Sequence, residues 1–173
     1  MDYLLIFEKS LLFGVVAIGF AILFNVPERT LFTIYILSML AGITKFLLMK
    51  FGIGVVISSL AGSTIIGFLI IPAAHIRHSP PTILAIPAVI PMVPGAFAYK
   101  MILGLVQLTG PTDNVLAYHQ ILADTVNNGL KAMFILISLA LGVVLPMLLI
   151  RKKTVKQLKL KRKTNPEDIY DVQ

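Results

Sequence analysis

Three prolines and a glycine fall inside one of the chain's long apolar runs, at Pro87-Ala-Val-Ile-Pro91-Met-Val-Pro94-Gly95. A proline inside a helix removes one backbone hydrogen bond and clashes with the preceding turn, at a cost of roughly 3 kcal/mol. Repeated at Pro87, Pro91 and Pro94, that penalty predicts a helix that is broken rather than bent. Lipid offers no water to the freed carbonyls, so such a break must be buried in protein or face a wet cavity. Broken helices at membrane depth are also where secondary transporters hold their substrates. The plain alternative is a kinked helix whose prolines serve packing alone.

The membrane setting follows from the rest of the chain. Apolar residues make up 57% and charged residues 13%, with a mean hydropathy of +0.91. Runs long enough to cross a bilayer recur at 3–24, 31–49, 55–74 and 83–108, with a last span from about 127 to 150. The expected fold is therefore all-α, a polytopic membrane protein of five transmembrane helices whose fourth is broken by proline. A four-span arrangement, with two neighbouring stretches failing to cross, is the competitor. Asn25-Val-Pro27-Glu28-Arg29-Thr30 and His75-Ile-Arg77-His78-Ser79-Pro80-Pro81 read as turns. Thr112 and Asp113 are placed to cap the following helix. From there no proline intervenes before Pro146, so that helix either projects into water or has its first part, 114–126, lying at the interface.

The charge is uneven. Residues 151–173 carry eight basic and three acidic side chains, a local balance of +5 in a chain of net charge +7. The chain thus divides into a transmembrane bundle, 1–150, and a basic tail, 151–173. Basic residues beside the last span mark that end as cytoplasmic, which places the N-terminus outside the cell's inner membrane. Arg29 and Arg77 then fall inside, in agreement, and Lys50 falls outside, against it.

Absent chemistry narrows the field further. There is no cysteine, which excludes disulfides and thiolate metal sites. Metalloprotease, nucleophile-elbow and phosphate-loop motifs are missing, so no enzyme is expected, and neither is a cofactor, a metal or a nucleic-acid partner. No Asp or Glu lies deep in a span, Glu8 and Asp124 both standing near predicted ends. Proton-driven carriers usually need titratable groups along their path, so a coupling carboxylate is expected on another chain.

What remains gathers near the proline stretch. A fresh helix should start after Pro94, whose missing N–H costs nothing at a first helical position. The amides just beyond it, with the positive end of the helix dipole, suit a carboxylate. Gly95 lets a ligand approach the backbone, and Lys100 lies one turn on. Lys45 is the other lysine well inside an apolar run, where an ionisable residue is a functional candidate. Snorkelling to the interface is the alternative for both. Lys131 reads as an interfacial anchor, Asn127 and Asn128 as amides that bind substrate or a neighbouring helix, and Tyr99 as a ligand or an interface anchor.

Phe24-Asn25-Val26-Pro27 after the first span, the proline stretch with Tyr99 beyond it, and Asn128 opening a glycine-bearing last span resemble the threonine/serine exporter family. The likeness is to its short, five-span form, equivalent to the C-terminal half of the long exporters, and covers about 5–150. It implies a secondary exporter of small carboxylate metabolites, threonine and serine or succinate-like dicarboxylates. It also implies a separate, larger membrane subunit with the other half of the bundle and a cytoplasmic N-terminal domain. On this reading Pro91, Pro94 and Gly95 shape the unwound segment, with Tyr99 beyond it. Lys45 or Lys100 supplies charge, and Asn128 supplies polar contacts. A membrane scaffold that transports nothing is the rival.

Overall fold

The computed structural model describes residues 3–110 and 115–164, with side chains as far as residue 149. The expected caps at Thr112 and Asp113 and the side chains of the basic tail lie outside the described residues.

Three helices come first: α1 (Tyr3–Leu23), α2 (Leu31–Lys50) and α3 (Val55–Arg77). They stop for one local reason. Asn25, Gly52 and His78 adopt positive φ values of 53°, 81° and 49°. Each reversal lets the following amide reach back over a full turn, Val26 N–H to Ala21 O, Ile53 N–H to Leu48 O and Ser79 N–H to Ala74 O. Those bonds satisfy carbonyls that a helix end would otherwise strand in lipid. The turn expected from His75 onward therefore starts later, because α3 absorbs Pro72 and continues to Arg77.

The fourth span is divided. Helix α4 (Pro81–Val89) runs into a 3₁₀ turn at Ile90–Met92, and α5 (Gly95–Leu108) leaves at an angle of 54°. The last helix, α6 (Val115–Thr164), is continuous for 50 residues. At 1.5 Å per residue it is about 75 Å long, more than twice the hydrocarbon thickness. Of the stretch 114–126, the described part shows no break from the last span: Val115 onward belongs to the same rod.

Four helices are long and apolar enough to cross a membrane, and α4 with α5 makes a fifth span when counted together. The protein is an all-α, polytopic membrane protein. Small residues set how closely its helices approach. A Cβ on Gly14 would lie 2.6 Å from the Tyr35 ring, and one on Gly67 would lie 2.6 Å from the Gly142 carbonyl oxygen. Ser63 Oγ donates to Ser138 O across the α3–α6 seam at 3.2 Å. Because Ser63 meets Ser138 while Gly67 meets Gly142 and Pro146, α3 and α6 run in the same direction. Ile34, Ile66, Ile70, Leu84, Met92 and Ile135 form the dry centre. At one end, Arg29 Nη2 donates to His78 O at 3.4 Å and Arg77 Nε to Thr33 Oγ1 at 2.8 Å. Arg29 and Arg77 therefore share one end of the bundle, and Lys50, over the Tyr3 ring, marks the other.

Candidate functional site

Pro91 lies in the 3₁₀ turn, and the turn ends where Val93 N–H donates to Ile90 O at 3.0 Å. Val93 is extended, at φ −57° and ψ 133°, as the residue before a proline tends to be. Pro94, at φ −81° and ψ 53°, reverses the chain tightly, with Gly95 N–H bonded to Val93 O at 2.9 Å. That is an inverse γ-turn. The Pro94 carbonyl then accepts from both Phe97 N–H and Ala98 N–H at 3.1 Å.

A helix restarting after Pro94 predicts several free amides here, and the structure leaves fewer. Gly95, Phe97 and Ala98 are engaged, and Ala96 N–H is the one amide of the first turn with no acceptor among the described residues. The backbone is nonetheless approachable: a Cβ placed on Gly95 would meet nothing within 4 Å. Ala96 is exposed alongside it.

The other side of the break is fastened. Met92 is wholly buried. Its side chain fills the space above Gly62, where a Cβ would lie 2.6 Å from Met92 Cε and 2.8 Å from Ala41 O. Lys45 is only 9% exposed, and its Nζ donates to the Met92 carbonyl at 3.4 Å. The Phe13 ring centroid is 5.9 Å from the same ammonium. Lys45 therefore caps a carbonyl at the break instead of reaching the interface. Ala41 lies against Gly62, so one turn further Lys45 comes level with Ser58 and Ser59. Ser59 Oγ is buried with no hydrogen-bond partner. Neither Met92, through its carbonyl, nor Ser59 is marked by residue type. Only the four-residue spacing of Ser59 with Ser63 and Gly67 hints at a helix seam there.

Beyond the break, Tyr99 is 65% exposed and Lys100 is exposed too. On α6, Asn128 donates its side-chain amide to Asp124 O, one turn back, at 2.8 Å. Its neighbour Gly129 faces Met101 of α5, and Lys131 Nζ lies 5.9 Å from the Phe97 ring centroid. The fold thus brings Lys131 alongside the start of α5, sets Asn128 beside its middle, and sets Lys45 behind the break. Tyr99 and Lys100 lie on faces of α5 that its own chain does not cover. No ion pair joins Lys45, Lys100 or Lys131 to an acid among the described residues.

A family's sequence model, described as "Threonine/Serine exporter, ThrE", matches residues 9–149. An uncharacterized protein of Haemophilus influenzae is 33% identical over 140 residues, which are 80% of this chain and 46% of that protein. The chain thus spans about half the length of this curated relative. No solved structure matches. A broken fourth span within a five-span bundle and a family match over most of the chain lead to one conclusion: the chain belongs to the threonine/serine exporter, ThrE, family.

Proposed function

We propose that this chain is one half of a heteromeric secondary exporter of small carboxylate metabolites, threonine and serine or a succinate-like dicarboxylate. The observation that carries the reading is the opening at Gly95, where the membrane helix restarts with nothing covering its backbone. A substrate carboxylate binds there, on the Ala96 amide and in the positive field of the fourteen-residue α5. Pro91 and Pro94 hold the segment unwound. Lys100 and Lys45 supply positive charge from either side, Tyr99 flanks the entrance, and Asn128 offers polar contact from α6. The other half is a larger membrane subunit with a cytoplasmic N-terminal domain. The Haemophilus influenzae protein, more than half of which lies outside the match, accords with a second half of that order of size.

The exporter sits in the inner membrane with its C-terminus in the cytoplasm and its N-terminus outside. A proton gradient drives it, through rocking of the two halves about the break. The coupling acid belongs to the partner, since the deep part of every described span lacks Asp and Glu.

Efflux of labelled threonine and succinate tests this reading, in cells that express the chain with and without the larger subunit. Export of one of them only when both are present is expected. Export by this chain alone would overturn the division into halves. Gly95→Leu is expected to abolish efflux with normal membrane insertion; unchanged efflux would favour a scaffold whose prolines serve packing.

A further inference from the structure

The surface of α5 suits neither lipid nor water. Its contacts within the chain run along one stripe: Phe97 meets Lys131, Met101 meets Gly129 and Gly104 meets Thr125. On the opposite side Tyr99, Ile102 and Val106 are 65%, 56% and 61% exposed. That is more apolar surface than water tolerates unpartnered. Beside them, on the next stripe, stand Lys100 and Gln107, both exposed, groups that lipid excludes. The outer face of α1 makes the contrast: its one exposed acid, Glu8, stands near the start of the helix, and from there on Leu12, Val15, Val16 and Ile22 leave it apolar. Lipid suffices for α1. For α5, a protein surface both apolar and charged is needed.

We infer that the uncovered face of α5 seats a membrane helix of the complementary half, and that this helix carries an Asp or Glu opposite Lys100. The inference rests on the two-half reading above and adds where the halves meet and what chemistry joins them. Lys100 forms no ion pair among the described residues, and α5 contains no acid. A second copy docked through this same face would set one lysine against another, which is repulsive. An acid-bearing partner removes that conflict. Such a helix also lies over Gly95 and Ala96, which share this side of α5. The opening at the break then becomes an enclosed site only when the halves assemble, with a carboxylate from the partner at its rim.

The native chain has no cysteine, so single cysteines report cleanly. In membranes of the native host, the full chain carrying Tyr99→Cys or Ile102→Cys is labelled with benzophenone maleimide and illuminated. Val15→Cys and Ile22→Cys on α1 serve as controls. From positions 99 and 102, we expect a cross-link to one membrane protein, in a span that contains Asp or Glu. From positions 15 and 22, only lipid adducts are expected. Lys100→Glu should abolish the cross-link, Lys100→Arg should keep it, and changing the partner's acid to lysine should restore it to the Lys100→Glu chain. Three results would overturn the inference: a cross-linked dimer of this chain, lipid adducts alone from positions 99 and 102, or a cross-link indifferent to Lys100→Glu. Contact is read here without transport, so a failed efflux assay leaves this result standing, and the reverse also holds.

Discussion

The two sides of Pro94 have much the same apolar character and opposite fates. Before it, Leu84, Ala85, Ala88 and Met92 are all 5% exposed or less. After it, Gly104 is the one buried residue among the described residues of α5. Hydropathy barely tells them apart, because apolar residues predominate in both and the polar groups of α5 are few. What separates them is shape. The first half sets a methionine into the notch at Gly62, beside the Ala41 carbonyl, whereas the second leaves Tyr99, Ile102 and Val106 uncovered. One half of the broken span is thus an anchor, and the other is an arm held mainly from α6.

The widest gap between the two should appear in stability. Gly62→Val drives a branched side chain into Met92 and the Ala41 carbonyl, and should cost about 3 kcal/mol. Gly95→Ala, in open space, should stay within about 0.5 kcal/mol. Thermal unfolding in detergent measures both, and equal losses would erase the distinction. A smaller difference is expected between the lysines. Lys45→Met strands the Met92 carbonyl but also removes a buried ammonium, for a net cost of about 1 kcal/mol. Lys100→Met should change stability by less than about 0.5 kcal/mol.

Pro94→Ala sharpens the comparison by geometry. It supplies an amide near Ile90 O and releases Val93 from its extended conformation. Spin labels at Ile86→Cys and Val106→Cys should then move apart as the 54° bend relaxes, and an unchanged separation would place the cause of the bend elsewhere. Asn128→Ala is the smallest. It removes one hydrogen bond within α6, so its unfolding temperature should match the parent's while efflux falls. A matching loss in both would make Asn128 a packing residue.

Much of this was legible in the residues. Runs of twenty or so apolar positions fix helices in lipid whatever their neighbours do, and prolines at 91 and 94 break a helix by local geometry alone. Contacts between distant segments were not legible. Nothing in the sequence joins Lys45 to a carbonyl 47 residues away, because any backbone oxygen can serve as its acceptor. The left-handed turn at His78 is rarer for histidine than for glycine, so the tail of α3 read as loop. The count of free amides failed for a related reason. Pro94's own carbonyl takes two of them, a detail set by the angles of one residue.

One consequence concerns α6. It passes from the side of α5 to the flank of α3 without a joint, and it is gripped at Ser63 and Gly67, where backbones nearly touch. A stiff beam held at an intermediate point behaves as a lever. Whatever pushes its front end sideways must swing its rear the opposite way, so an event on one side of the bilayer is felt on the other with no relay of side chains between them.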